Sequence, residues 1–361
     1  MLSGGYATRL RPISYALPKL LFPVLGRPMI YWTLDLLKTV GTDEVVLGVN
    51  YMAEMLRNKV GSTYDEMKIT YSLEDHELGT AGPIKLASTN TQLNETFIAM
   101  NGDVIAQLDL KEMLKQHKQT GARVTDAVHE VRAPQRFGVV QRGSNGRIQR
   151  FVEKPKRGTE PSHLVNAGIY VIEPDVLQLI RPDRKVSLER EIFPILAKEG
   201  KLFGFTFSGH WFDIGNLTDY RKANFSLLRD STEKLEKRRR EKNVAADATV
   251  QRTVSLGDNA RVGSKARIGP YALVGDNSSV DARARIEYSI LFENVSIGEG
   301  SKVSGSILGT GVRIGKDVKI GRGCIISPYV TVADRVRIGN EAIIHPHKEI
   351  NKNIRGPAHI M

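Results

Sequence analysis

The spacing of hydrophobic positions changes once along this chain. From residue 1 to about 220, short aliphatic runs alternate with stretches whose apolar residues recur every three or four positions. EVVLGVN (44–50), FIAMNGD (97–103) and VNAGIYVI (165–172) predict buried strands. MIYWTLDLLKTV (29–40) and LKEMLKQHKQTG (110–121) predict helices, the second closed by Gly121. Strands alternating with helices predict an α/β domain with a mostly parallel sheet covered on both faces, and ligands at the carboxyl ends of its strands. A further helix is predicted from about Thr218 to Lys242, leading away from this domain.

From residue 248 the spacing becomes six. Val250, Leu256, Val262, Ile268, Val274, Val280 and Ile286 form one run, and Ile314, Ile320, Ile326, Val332, Ile338 and Ile344 another, with Ile297 and Val303 between them. Thirteen in-phase positions are more than an ordinary β-sandwich supplies, so the pattern predicts a solenoid of stacked short strands. Many inward aliphatics are followed by Gly, as at Gly257, Gly263 and Gly315, which reads as glycine where the backbone turns. Three sides of six residues give a coil of about eighteen and roughly five coils. Two slips, between Ile286 and Ile297 and at Gly309, predict a bulge or loop. The organisation is therefore an α/β domain over 1–228, a charged helix over 229–246 and a repeat domain over 247–361.

Composition excludes several classes. The chain of 361 residues is 41% hydrophobic and 25% charged, the balance of a folded globular protein. Its aliphatic runs are shorter than the ~20 residues that span a bilayer. It opens on no secretory leader, and its single Cys324 excludes an internal disulfide, so a cytoplasmic location and no membrane association are expected. The net charge of +12 raises the question of nucleic acid. Residues 1–230 hold 30 basic and 26 acidic side chains, 231–242 hold 6 and 3, and 243–361 hold 16 and 11. The surplus is spread along the chain, and the dense stretch from Lys234 to Lys242 is interleaved with Glu233, Glu236 and Glu241 like a solvated helix, so no nucleic-acid partner is expected.

The segment SGGYATRLRPISYALPKLLFPVLGRP (3–28) carries the strongest chemical signal. Paired glycines let a backbone approach phosphates, and Arg9 and Lys19 supply cations on either side of a proline-containing stretch. It matches neither the P-loop nor the dinucleotide fingerprint. Together with ELGTAGP (77–83), NGDV (101–104), FGVV (137–140), RFVEKP (150–155), VNAGIYV (165–171), SLEREIFP (187–194) and WFDIG (211–215), it resembles the sugar-1-phosphate nucleotidyltransferase family over nearly the whole chain. The later segments narrow the resemblance to members that join mannose 1-phosphate to GTP, giving GDP-mannose and pyrophosphate.

That resemblance implies a Rossmann-like nucleotidyltransferase domain followed by a left-handed parallel β-helix. It implies in-line attack of the sugar phosphate on the α-phosphorus of the nucleotide. No enzyme nucleophile is needed, because the substrate attacks; the protein gathers two polyanions and stabilises the charge between them. By the same resemblance Leu2, Gly4, Gly5, Gly79, Thr80, Ala81 and Gly102 meet the nucleotide, and Arg9 and Lys19 its phosphates. Gly138, Glu153, Lys154, Asn166 and Gly168 meet the sugar phosphate, and Asp103 and Asp213 hold Mg²⁺, a hard cation suited to oxygen ligands and phosphates. Homo-oligomers, assembled through the β-helix, are also implied. His345, His347 and Cys324 read as structural.

Three departures from the family pattern stand out. Ala7 replaces a glycine, Leu20 replaces a proline after Lys19, and Met1-Leu2-Ser3 opens the chain where a longer aliphatic strand is expected. The last predicts unpaired neighbouring strands, an open apolar slot and a native start upstream. Asp126 is unexpected on a strand that reads as buried. The competing readings are a nucleotidyltransferase using UTP, dTTP or ATP with glucose 1-phosphate, and a non-catalytic homologue that binds GDP-mannose. A β-helix acetyltransferase is disfavoured by the absence of an acyl-carrier device.

Overall fold

The computed structural model describes residues 1–91, 93–231 and 243–361. They divide into two units, Met1–Tyr6 with Ile30–Ile214, and Ala7–Met29 with Gly215–Met361. The charged stretch from Lys234 to Lys242 lies outside the described residues. Among the described residues no helix is long and apolar enough to cross a membrane.

In the first unit the predicted strands appear as β1 (Glu44–Val49), β3 (Phe97–Met100) and β8 (Leu164–Ile172). Between and around them lie β2 (Met67–Leu73), β4 (Val104–Ala106), β5 (Val124–Glu130), β6 (Gly138–Arg142), β7 (Ile148–Glu153), β9 (Leu202–Phe207) and β10 (Trp211–Asp213). Helix α1 (Met29–Lys38) matches the first predicted helix. Helix α2 (Gly82–Asn90) follows β2. Helix α3 (Leu110–Thr120) is capped by the Asp109 carboxylate, which accepts from the Glu112 N–H at 3.0 Å, and is closed by Gly121 at φ 60°.

The sheet corrects one expectation. Its order is β7-β6-β8-β5-β9, with β3 also on β8, and only β9 runs parallel to its neighbour β5. A second sheet pairs β1 with β2 in parallel and adds the short strand Thr63–Tyr64 antiparallel to β2. The α/β pattern was read as mostly parallel, whereas hairpin-like pairs dominate the larger sheet. A continuous apolar strand such as β8 is buried on both faces whichever way its neighbours run, so its composition does not report direction. Tyr170 and Val128 of this sheet pack with Phe193 and Leu196 in one apolar cluster.

Met1–Ser3 add a short stretch between β1 and β3. The Leu2 N–H donates to Met100 O at 2.8 Å, the Ser3 N–H to Gly48 O at 3.0 Å, and the Met1 amine to Val46 O at 2.7 Å. A cavity of about 410 Å³ beside these strands is lined by Leu37, Val46, Ile84, Ile98 and Met100 among others.

The second unit is dominated by a parallel β-helix. Its three sheets hold seven, six and seven strands, every partner lying one coil further along. The stack has about seven turns where roughly five were expected. The coil length drops from eighteen residues to seventeen where Val280 pairs Ile297 and Ile286 pairs Val303, and Leu291 and Leu308 fill the inward places. The phase slips are therefore shortened coils and not bulges or loops. Many of the glycines after inward aliphatics also need a different explanation. A Cβ on Gly263 would lie 2.7 Å from the Ala282 nitrogen of the next coil, so glycine is required by stacking. Positive φ at the corners is carried instead by residues such as Asn259 (56°) and Asn277 (54°).

The outward positions of the third sheet, Leu273, Ile290 and Ile307, are at most 2% exposed. Helix α4 (Leu217–Asp230), capped by Asn216, and the 7–29 segment pack against the β-helix through Phe22, Tyr220 and Phe292, whose rings meet edge to face at 5.6–6.1 Å. Arg221 donates to Gly305 O at 2.8 Å. Helix α4 covers the first part of the predicted Thr218–Lys242 helix, whose remainder from 232 onward lies outside the described residues. His345 meets the Tyr15 ring at a tilt of 34°, His347 stacks on Tyr329, and Cys324 is fully buried in the coil interior.

Candidate active site

A cavity of about 480 Å³ opens in the first unit, a size suited to a small polar ligand. Eight of the residues singled out from sequence line it: Gly79, Thr80, Gly138, Glu153, Lys154, Asn166, Gly168 and Asp213. They come from five separate parts of the chain, and sheet pairing unites three of these. Glu153 ends β7 opposite Gly138 of β6, and Val165 of β8 pairs Val139.

Close approach explains the glycines. A Cβ on Gly138 would meet the Phe151 ring at 2.5 Å and Glu153 Oε2 at 2.9 Å. Gly168 combines φ 75° with a Cβ direction 2.5 Å from Asn101 Nδ2, so any side chain there displaces a wall of the cavity. The Asn166 amide oxygen accepts from the Gly168 N–H at 2.7 Å, and its Nδ2 donates to the Tyr170 hydroxyl at 2.8 Å. Lys154 and Glu153 form an ion pair at 3.3 Å with the lysine 63% exposed. In water such a pair is worth ~0–1 kcal/mol, so its value lies in positioning and not in stability.

Asp103 and Asp213 are brought side by side in the backbone. Asp213 of β10 lies opposite Val104 of β4, and the Ile214 N–H donates to Asp103 O at 3.0 Å. Carboxylate oxygens are hard donors of the kind Mg²⁺ accepts; of the two side chains, Asp213 is among the residues that line the cavity and Asp103 is not. Leu2 and Gly102 are also joined, by a Gly102 N–H to Leu2 O bond of 2.8 Å. Ala81 is fully buried, with its N–H donating to Val186 O at 2.9 Å, and Gly79 takes φ 77° against the same carbonyl. Arg9 and Lys19 belong to the second unit, in single turns Thr8–Leu10 and Lys19–Leu21. Ala7, which opens the first of these turns, has φ 48° and ψ 39°.

Several contributors were missed. Arg136, Lys185 and Arg190 join Lys154 as cations around the cavity, facing Glu153, Glu189 and Asp213. Glu189 accepts from Thr80 Oγ1 at 2.6 Å, Ser187 Oγ at 2.7 Å and the Tyr170 hydroxyl at 3.4 Å, so it ties the 79–81 loop to the Asn166 side of the cavity. It sits on a π-helical turn, Leu188–Ile192, a local form frequent at functional sites. Trp211 packs against Phe137 at 5.1 Å and donates from Nε1 to Ala167 O at 3.0 Å. All lie in or beside the quoted motifs; their convergence is what spacing alone does not reveal. Glu74 was missed altogether. Its carboxylate fills the space a Cβ on Gly4 would take, its Oε1 has no partner among the described residues, and burial raises its carboxyl above the usual range.

A Rossmann-like sheet with a polar, cation-rimmed cavity beside a carboxylate pair defines a class of nucleotidyl-transferring proteins, and the comparisons agree. The nucleotidyl transferase family matches residues 1–230, and the GMPPB C-terminal domain matches residues 250–360. Mannose-1-phosphate guanylyltransferase 1 of Arabidopsis thaliana is 36% identical over the full chain and 99% of its own length. The catalytic subunit beta of the Danio rerio mannose-1-phosphate guanylyltransferase is 40% identical over 61% of each chain. Among solved structures, HddC from Yersinia pseudotuberculosis complexed with GMP-PN is 26% identical, with a TM-score of 0.52 over 63% of this chain and 97% of its own. UDP-glucose pyrophosphorylase complexed with UDP-glucose, at 19% identity and TM-score 0.57, shares the fold. The chain belongs to the nucleotidyl transferase family, in its mannose-1-phosphate guanylyltransferase branch, and is a nucleotidyltransferase.

Proposed function

We propose that this enzyme transfers a guanylyl group from GTP to mannose 1-phosphate, releasing pyrophosphate and forming GDP-mannose. The observation that carries the reading is the convergence of Gly138, Glu153, Lys154, Asn166 and Gly168 on one cavity that Asp213 also lines. Glu153 and Asn166 accept from and donate to sugar hydroxyls, while Lys154 compensates the sugar phosphate. Asp103 and Asp213 would hold Mg²⁺. When bound, the ion neutralises nucleotide phosphate oxygens. Arg9 and Lys19 are assigned to the triphosphate by resemblance. Association into homo-oligomers through the β-helix belongs to the same reading.

The test is a turnover screen of GTP, UTP, dTTP and ATP against mannose 1-phosphate and glucose 1-phosphate, following pyrophosphate release. GTP with mannose 1-phosphate should lead; a preference for UTP with glucose 1-phosphate would overturn the assignment. Asp103→Asn should lower turnover about a hundredfold or more, with circular dichroism unchanged. An unaltered rate in Mg²⁺ would remove Asp103 from the metal role. Lys154→Ala should raise the KM for sugar phosphate far more than that for GTP.

A further inference from the structure

The middle sheet of the β-helix carries a charge pattern that the transfer reaction leaves unused. Its outward positions fall in register from coil to coil as Arg267, Arg285, Lys302, Lys319 and Arg337. All five are exposed, and the preceding outward position on this face is Thr249. Neighbouring strands lie about 4.8 Å apart, so the five cations form a straight row about 19 Å long. Like charges directly opposite one another weaken a sheet. Among the described residues none of the five is in an ion pair; the pair at the adjacent corner, Arg283 with Glu299, lies outside the row. Residues 243–361 carry 16 basic and 11 acidic side chains. The surplus of five equals the number of cations in the row.

We propose that this row is a docking surface for an acidic α-helix of a protein partner, which seats about one carboxylate per turn on each rung. An α-helix advances about 5.4 Å per turn, within about 0.6 Å of the strand spacing, so the mismatch over four steps stays within reach of flexible Lys and Arg side chains. An extended peptide repeats its same-face side chains at about 6.6–6.8 Å and loses register after two rungs. Single-stranded nucleic acid is held on aromatic stacking platforms, and no outward position of this face is aromatic.

The experiment uses the full chain and two labelled alanine-based helical peptides of equal charge. One carries a glutamate on the same face at every turn; the other distributes the same glutamates around the helix. Fluorescence anisotropy should show salt-sensitive binding of the aligned peptide, about tenfold or more tighter than the distributed one. Arg285→Glu, Lys302→Glu and Lys319→Glu together should abolish that preference while leaving nucleotidyl transfer unchanged. The three glutamine substitutions, which carry no reversed charge, should weaken it to a smaller extent and preserve the thermal melt. Equal binding of the two peptides, unaltered binding by the glutamate variant, or tighter binding of oligothymidylate or phosphatidylserine vesicles than of the aligned peptide would overturn the proposal. Turnover serves as an independent control, because the row plays no part in the transfer reaction.

Discussion

The two halves of this chain solve the problem of burying a core in opposite ways. In the β-helix each coil repeats its predecessor, and Val303, Ile320 and Ile338 stack in register in the interior. In the first unit no element repeats, and β8 alone contacts β3, β5 and β6. Periodicity makes a rigid, self-similar scaffold whose chemistry is confined to its outward rows. Irregularity lets residues far apart in sequence, such as Gly79, Gly138, Glu153 and Asp213, meet around one cavity. The cost of irregularity is the burial of ionisable groups without a partner: among the described residues the carboxyl oxygens of Asp126 have none, whereas the side chains so left in the β-helix are the neutral hydroxyls of Thr310 and Ser327.

The comparison breaks most sharply at a repeat position. Ile320 is 3% exposed between Val303 and Ile338. Ile320→Ala should cost about 2–5 kcal/mol, the loss of a buried branched side chain with incomplete collapse of the cavity. Since each coil touches only its neighbours, the loss should be concentrated in adjacent coils. Hydrogen exchange resolved by segment would then show faster exchange around 300–340 with little change across 97–172. Uniform acceleration throughout the chain would show that the repeat does not behave as a one-dimensional stack.

The same contrast decides what could be read in advance. The repeat was legible because a single period of six specifies inward positions, strand partners and corners together. Its coil count and shortened coils were not, since Leu291 and Leu308 sit one place out of phase and break the count without breaking the stack. In the first unit β1, β3, β8, α1 and α3 were legible from local pattern. Strand direction was not, because burial on both faces erases the alternation that distinguishes an open antiparallel sheet. Glu153, Lys154 and Asn166 were carried by motifs, while Glu189 and Glu74 depend on tertiary placement: one reaches Thr80 across 109 residues, and the other fits against Gly4.

Asp126 tests the cost of irregularity. It is fully buried on β5 opposite Tyr170, and burial, reinforced by the nearby Glu189 charge, holds its carboxyl well above the usual carboxylate range. A raised folded value means that the native state binds a proton the unfolded chain releases. The penalty is therefore absent below the unfolded value of about 4 and grows as pH rises toward the folded value. Asp126→Val should stabilise the protein at pH 7 by about 1–3 kcal/mol, the desolvation penalty of an unsatisfied buried group. Denaturant midpoints at pH 5 and pH 8 should differ less in the variant than in the parent. If the variant is less stable than the parent at pH 8, Asp126 makes a favourable interaction in the native state.

The smallest effect concerns Ala7, where the glycine-rich segment passes into the second unit. Its φ of 48° and ψ of 39° are left-handed, a region where a Cβ crowds the following carbonyl at roughly 1–2 kcal/mol per residue. The conformation is held from both sides: Ala7 O accepts from the Leu10 N–H and from Ser14 Oγ, each at 2.9 Å, so the chain cannot relax without losing two hydrogen bonds. Ala7→Gly removes the crowding but widens the unfolded ensemble, and the balance favours the variant by about 0.5–1 kcal/mol. Ala16 is the internal control, because at φ −114° its methyl carries no such strain. Ala16→Gly should lose about 0.5–1 kcal/mol from unfolded-state entropy alone. Opposite signs at two alanines nine positions apart, read as urea midpoints, would show that conformation and not composition sets the value of glycine in this segment. The same sign at both would mean that the left-handed turn at Ala7 carries no strain.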